Sequence, residues 1–183
     1  VKPLDLSYDH KLIAAARLAG PHNGMTWAAD VLERYKNLTP ARGAAGSPNP
    51  RRLVEAAVSV ARRLSEPGER VGALDSVHMD EVNQLERDSL TAMDSSPNFS
   101  PLRAFMDGVH SLLVGARYGF ARPDINTDWV ALHVVAAVNH VAAAVYRAAE
   151  PLPRRGPGKE TPARQAARLK MKVVACLRLA DCL

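Results

Sequence analysis

The sequence predicts an all-α fold, a single-domain bundle of about six or seven helices arranged around one apolar helix. Three observations indicate this class. The alternation of β-branched and aromatic residues that marks strands is scarce, capping residues and prolines typical of helix starts recur, and residues 127–150 form the longest apolar run. A chain of 183 residues can bury a core as one domain, and a second domain is not required.

The apolar run at residues 127–150 is the predicted centre of the bundle. Thr127 is the expected N-cap, Asp128 lies in the first turn, where the helix dipole favours an anion, and Pro151 ends the helix. Glycine and proline are absent between these limits. The pattern therefore predicts one continuous helix of more than five turns.

Apolar residues occur on every side of this helix, which is typical of a helix inside a protein core or inside a membrane. Its polar residues decide between the two environments, because four of them are a heavy load for lipid. These residues are His133, Asn139, His140 and Arg147. We therefore expect a buried core helix and no membrane span.

Before the apolar run, the chain divides into an extended arm at residues 1–8 and a helical core domain at residues 9–150. The first two helices of the core are predicted at residues 9–19 and 26–37, joined by a short turn at residues 22–24. This pair allows a helix-turn-helix interpretation. An ordinary helical hairpin is favoured, because proline stands where that motif has an apolar side chain and the turn is too long.

Three further helices are predicted before residue 120. After a linker rich in proline, glycine and alanine at residues 38–50, an Asn-Pro pair at 49–50 begins the third helix. The fourth, at residues 76–93, has an acidic polar face and a thin apolar stripe, so it is expected at the periphery. The fifth, at residues 101–118, begins with a Ser-Pro pair and shows the clearest amphipathic pattern. It should pack directly on the apolar helix.

The positive charge is concentrated in the last fifth of the chain. From Arg147 to Arg178 there are nine Lys and Arg against two Glu, whereas the remainder has 15 basic and 17 acidic residues. Residues 151–183 are therefore predicted to form a basic linker and a C-terminal amphipathic helix. A polyanion is the expected partner, and an acidic protein surface would serve as well.

Arginines and lysines on the third helix and in the basic segment are the predicted contacts to nucleic acid. Such side chains bind phosphate oxygens strongly, in a salt-dependent and largely sequence-independent manner. For the two arginine pairs of the third helix, solvated surface arginines are the alternative interpretation. The complete set is Arg51, Arg52, Arg62, Arg63, Arg154, Arg155, Lys159, Arg164, Arg168 and Lys172.

The sequence contains no recognisable motif for catalysis, cofactor binding or metal binding. The chain has no nucleophile elbow, no dinucleotide-binding glycine loop and no Cys-x-x-Cys pair, and the GPGKET stretch at residues 156–161 lacks the first glycine of a phosphate loop. His133 and His140 are about 10 Å apart along the helix, too far to share an ion without a third element such as His110. We expect no cofactor, no metal and no enzymatic activity.

These features predict a non-enzymatic, self-associating protein that packages nucleic acid, as a viral coat protein or nucleoprotein does. One alternative is a dimeric transcriptional regulator that uses the first helical pair. Another is a structural subunit of a larger assembly whose basic segment binds an acidic partner. With only Cys176 and Cys182, we expect a reducing intracellular compartment, or a virion or nucleoprotein complex. Because the sequence begins with Val1, it leaves open whether a targeting segment has been removed.

Overall fold

The computed structural model describes residues 6–43, 45–65, 76–120 and 125–149, and all regular structure in these ranges is helical. The predicted all-α class is confirmed. Most of the predicted arm and all of the basic segment at residues 151–183 lie outside the described residues. The helices are α1 (Leu6–Ala19), α2 (Pro21–Tyr35), α3 (Pro50–Ser65), α4 (Ser76–Asp94), α5 (Pro101–Gly119) and α6 (Thr127–Ala149), with a short 3₁₀ helix at Lys36–Leu38.

The predicted starts of α3 and α5 are confirmed by their capping hydrogen bonds. The Asn49 side-chain oxygen accepts from the backbone N–H groups of Arg51 and Arg52, at 3.1 and 3.4 Å. The Ser100 hydroxyl accepts from the Arg103 N–H at 3.0 Å. In both cases the proline that follows occupies the first helical position, where its missing N–H leaves no hydrogen bond unmade.

The start of α6 differs by one residue from the prediction. Asn126, and not Thr127, caps the helix, because its side-chain oxygen accepts from the Trp129 N–H at 3.0 Å. Both residues are good caps, and asparagine is the more favourable of the two. The helix nevertheless covers nearly the whole predicted run, ending at Ala149.

The junction between α1 and α2 is shorter than predicted. Helix α1 already begins at Leu6, and the residues predicted as a turn at 22–24 form the first turn of α2. Only Gly20 joins the two helices, with φ 85° and ψ 165°, a conformation that glycine adopts without strain. Pro21 is the first residue of α2, because proline is well tolerated at a first helical position.

Helices α5 and α6 form the largest helix–helix interface of the described residues, as the amphipathic pattern of α5 predicted. Two glycines on α5 allow this close approach. A Cβ atom added to Gly115 would lie 2.8 Å from the Cβ of His133, and one added to Gly108 would lie 3.0 Å from the carbonyl oxygen of Ala137. Small residues on α5 therefore set the distance between the two helices.

Helix α6 packs against α1, α2 and α5. The sequence predicts a helix that is buried on all sides, whereas part of the surface of α6 is exposed. Val130, Val134 and Val138 are buried, whereas Trp129 and Leu132 are 37% and 45% exposed. By length and composition alone, Thr127–Val145 could cross a membrane, with a mean hydropathy of 1.4. The core helix of a globular bundle passes the same test, so hydropathy does not distinguish the two. Helix α4, by contrast, contacts α3 and α5 at the edge of the bundle, as expected.

Candidate nucleic-acid interface

The arginine pair at the start of α3 is divided in the structure. Arg51 donates from Nη2 to the carbonyl oxygen of Thr39 at 2.7 Å, and its Nε is buried. This side chain therefore fixes the linker before α3 and is poorly placed for phosphate. Arg52 is exposed and makes no ion pair within the described residues.

The pair at the end of α3 is exposed but partly neutralised. Arg63 Nη2 lies 2.7 Å from Glu81 Oε2, and Arg62 Nη2 lies 3.7 Å from Asp30 Oδ1. Exposed ion pairs of this kind stabilise a fold by at most about 1 kcal/mol, so a phosphate could replace either carboxylate. The two arginine pairs are separated by about 16 Å along the helix axis. They do not form one joint site.

A second basic site, which the sequence reasoning missed, lies where the start of α5 meets the end of α6. Its cavity of about 350 Å³ is lined by Asn98, Phe99, Arg103, Asp107 and Arg147, and we refer to it as the Arg103–Arg147 cleft. Arg103 and Asp107 are one turn apart on α5, and Arg147 is in the last turn of α6. Antiparallel packing of these helices therefore brings two guanidinium groups to one place.

Each guanidinium group of the cleft donates to one backbone carbonyl, and Arg103 also has a carboxylate nearby. Arg103 donates from Nη1 to the Met93 carbonyl at 3.2 Å, and its Nη2 lies 3.7 Å from Asp94 Oδ1. Arg147 donates from Nη1 to the Ser100 carbonyl at 3.5 Å. Each guanidinium has five N–H donors, so most of the donors remain free for an anion.

Phe99 forms the aromatic wall of this cleft in an unusual backbone conformation. It has a φ of 62°, and no other non-glycine residue among those described has a positive φ. The turn from Pro97 is closed by the Ser100 N–H, which donates to the Pro97 carbonyl at 3.1 Å. Phe99 thus stands where such turns commonly place glycine. The residue is 63% exposed, and the Arg147 Cζ lies 5.8 Å from the centroid of its ring.

The side chains that line the cleft include two guanidinium groups and one carboxylate, that of Asp107, and the Asp94 carboxylate lies nearby, 3.7 Å from Arg103 Nη2. Asp107 also faces His140 on α6. Burial lowers the pKa of His140, Asp107 opposes this, and the charges of Arg147 and His110 lower the pKa further. At neutral pH His140 is therefore uncharged, and the positive charge of the cleft comes from its arginines.

His133 and His110 lie along the same α5–α6 interface. The His133 ring packs on Trp129, with 4.7 Å between centroids, and burial, followed by the charge of His110, lowers the His133 pKa. His110 Nδ1 is 3.3 Å from the Ser89 hydroxyl. Within the described ranges, no group of three or more His, Cys, Asp or Glu is arranged to hold a metal ion.

A depression with three apolar and four polar lining residues, which we name the apolar depression after Trp129 and Leu132, lies at the opposite end of α6. It has a volume of about 460 Å³ and is lined by His10, Ile13, Arg17, Asn126, Asp128, Trp129 and Leu132. Tyr118, which is 49% exposed, packs edge-on against Trp129 with 5.9 Å between ring centroids. Arg17 and Asp128 form an ion pair of 2.8 Å beside this apolar surface. Exposed apolar groups clustered in this way are typical of protein–protein contacts.

The remaining predicted nucleic-acid contacts lie outside the described residues, and the structure leaves them as predictions. They are Arg154, Arg155, Lys159, Arg164, Arg168 and Lys172. Comparison with known proteins identifies no relative, because no protein family, no curated protein and no solved structure matches the chain.

Proposed function

We propose that this protein is a non-enzymatic, self-associating nucleic-acid-binding protein that contacts the phosphate backbone, in the manner of a coat protein or nucleoprotein. The single observation that carries the proposal is the position of the Arg103–Arg147 cleft. It lies at the end of α6, beside the point where the chain enters its basic segment. Guanidinium groups with unused N–H donors and a following basic chain favour binding to several successive phosphates.

The distance along the chain supports a shared binding surface. Arg154 follows Ala149 by five residues, so at most about 17 Å of extended chain separates the end of α6 from the first basic pair. A nucleic acid strand that enters the cleft can therefore reach Arg154 and Arg155 as well. Helix α3 contributes Arg52, Arg62 and Arg63 only as accessory contacts, because Arg51 is engaged with Thr39.

The transcriptional regulator that uses α1 and α2 has weaker support. The helix-turn-helix motif needs a turn of about 3–4 residues, whereas Gly20 alone joins these helices. Seven of the 15 residues of α2 are also buried, and its exposed residues are Asn23, Thr26, Asp30 and Arg34. One acid and one base on this face give no positive surface for a DNA groove.

Two surfaces, one with exposed apolar side chains and one acidic, support self-association. The apolar depression beside Trp129 and Leu132 provides surface that is favourable to bury. An exposed acid on α4, Asp80, could meet the basic segment of a neighbouring copy, whereas the adjacent Glu81 is already paired with Arg63. The same acid could equally bind within a larger assembly of other proteins, which is the second candidate function.

The proposal is tested by the salt dependence of binding to a fluorescently labelled single strand. We expect affinity to fall steeply between about 50 and 200 mM salt. A triple variant, Arg154→Ala with Arg155→Ala and Lys159→Ala, should reduce the slope of log affinity against log salt by about 2. Affinity that is flat across this range would contradict the proposal.

A matched control removes three charges from other surfaces. The variant Lys11→Ala with Arg34→Ala and Arg42→Ala changes the net charge equally, and all three side chains are exposed. It should leave the salt slope nearly unchanged. If both triple variants reduce the slope equally, binding follows net charge alone and no phosphate-binding surface exists.

A further inference from the structure

We infer that the Arg103–Arg147 cleft holds one unpaired nucleotide of a single strand, with its phosphate on the two guanidinium groups and its base stacked on Phe99. This inference rests on the proposed nucleic-acid binding and deepens it. It specifies that single strands are preferred to duplexes. It also assigns a role to an aromatic side chain that the backbone holds in a strained conformation.

The phosphate end of the site is formed by Arg103 and Arg147. Their side chains converge from two helices on one cavity, and each donates to one protein carbonyl, at 3.2 and 3.5 Å. The Asp94 carboxylate lies 3.7 Å from Arg103 Nη2 and leaves the other donors of that group available. Guanidinium groups bind phosphate oxygens through paired N–H donors, which a point charge such as lysine cannot reproduce. Two such groups around one cavity are suited to a single phosphate.

The base end is formed by the Phe99 ring. Arg147 lies near the ring at 5.8 Å from its centroid, and 63% of the residue's surface is exposed. A base can therefore stack on the uncovered part of the ring while its phosphate binds the same arginine. Stacking of this kind accepts any base, because every base has a π-face. A duplex keeps its bases within the helical stack and offers none to the ring.

Asp107 and Asn98 limit what else can enter. The Asp107 carboxylate lines the same cavity as the arginines, so a second phosphate would be repelled from that side. The carboxylate and the Asn98 amide can instead bind a sugar hydroxyl or an exocyclic amino group. The cavity of about 350 Å³ is near the lower limit for small-ligand sites, which agrees with one nucleotide.

The backbone of the turn gives a second reason to assign a role to the ring. An aromatic residue at φ 62° is disfavoured, and glycine or asparagine would adopt this conformation more easily. The ring does not compensate by burial, because most of it faces solvent. A strained conformation that displays an aromatic side chain beside two arginines is consistent with ligand contact.

The test compares affinities for a labelled single strand and for the duplex of the same sequence. Phe99→Asn retains a residue that tolerates positive φ and removes the ring, and Phe99→Trp retains an aromatic surface. We expect Phe99→Asn to weaken single-strand binding about fivefold to tenfold with little effect on the duplex. Phe99→Trp should preserve the single-strand preference. Circular dichroism melting verifies that both variants are folded.

Two further variants complete the design. Tyr118→Ala removes another exposed aromatic ring, which is on α5 and packs against Trp129 at the N-terminal end of α6. This variant should not change the single-strand preference. Arg147→Lys retains the charge but loses the paired donors, and should weaken single-strand binding while leaving the duplex unaffected. Equal effects of Phe99→Asn and Tyr118→Ala would overturn the assignment of the cleft.

The two proposals fail in different ways. If Phe99→Asn leaves the preference unchanged while wild-type binding remains salt-dependent, the nucleotide site is refuted and the nucleic-acid-binding function stands. If the wild type prefers the duplex, the cleft inference is again overturned, since an unpaired base is then not required. If the wild type binds neither strand nor duplex at about 50 mM salt, both proposals are refuted.

Discussion

Two half-buried histidines on α6, His133 and His140, connect the protonation state of single residues to the stability of the fold. Burial is the main cause that lowers each pKa, and the charge of His110 on α5 lowers both further. For His140, Asp107 raises the pKa in opposition, and Arg147 lowers it. Both histidines are therefore neutral in the folded protein at pH 7, and protonation has to occur within a packed helix interface.

Because both pKa values are lowered, the two histidines make the stability of the fold depend on pH. Because the folded-state pKa of each histidine lies below the unfolded value near 6.5, the unfolded chain binds protons first as the pH falls. Their contribution to stability is complete above about pH 6.5 and is lost as the pH falls through the folded-state pKa. Urea unfolding between about pH 7.5 and 5 should show this loss, and His133→Gln with His140→Gln should reduce it. An exposed control, His10→Gln, should leave the profile unchanged.

At the scale of helices, the α5–α6 interface depends on the absence of side chains at glycine positions. An added Cβ at Gly115 would approach the His133 Cβ to 2.8 Å, and neither atom is the end of a flexible side chain. Gly24 on α2 is a natural control, because its added Cβ would lie 3.4 Å from the Val134 Cγ2, an ordinary contact distance. The two glycines thus differ in packing while sharing a helical backbone.

Alanine substitution at each glycine separates the effect of packing from the effect of helix propensity. We expect Gly115→Ala to destabilise the fold by about 1–3 kcal/mol through overpacking, offset by less than about 1 kcal/mol of improved helix propensity. Gly24→Ala should be neutral or stabilising by up to about 1 kcal/mol, since only the propensity term applies. Chemical denaturation measures both changes. A stabilised Gly115→Ala variant would show that α5 and α6 are less closely packed than described.

The sequence predicts the helices well where local chemistry decides their boundaries, as at Asn49 and Ser100. The predicted turn at residues 22–24 is wrong, because these residues belong to α2. The Gly-Pro pair before them can either end one helix or begin the next, and only the packing of α2 decides between these outcomes. The Arg103–Arg147 cleft was not predictable for a related reason. Its arginines are 44 residues apart in the sequence and meet only through antiparallel packing, and the turn at Phe99 lacks the expected glycine.

For the whole molecule, charge and apolar surface are placed at different ends of α6. The Arg103–Arg147 cleft and the entry to the basic segment lie at its C-terminal end, and the apolar depression lies at its N-terminal end. If the proposed function holds, the two surfaces would let one molecule bind nucleic acid and a second copy at the same time. The two contacts should also be separable by substitution.

Leu132→Glu tests this separation, because it places a charge in the apolar depression at a residue that is already 45% exposed. The folded monomer should be retained, and light scattering should show a smaller mass than for the wild type, since burying an unpaired carboxylate at the contact is strongly unfavourable. Thr91→Glu on α4 adds the same charge at an exposed position away from the depression and should leave the mass unchanged. Salt-dependent binding of a short strand should persist in both variants, because the cleft is intact. If Leu132→Glu leaves the assembly mass unchanged, self-association does not use this surface, and pairing of the acidic α4 with the basic segment becomes the favoured route.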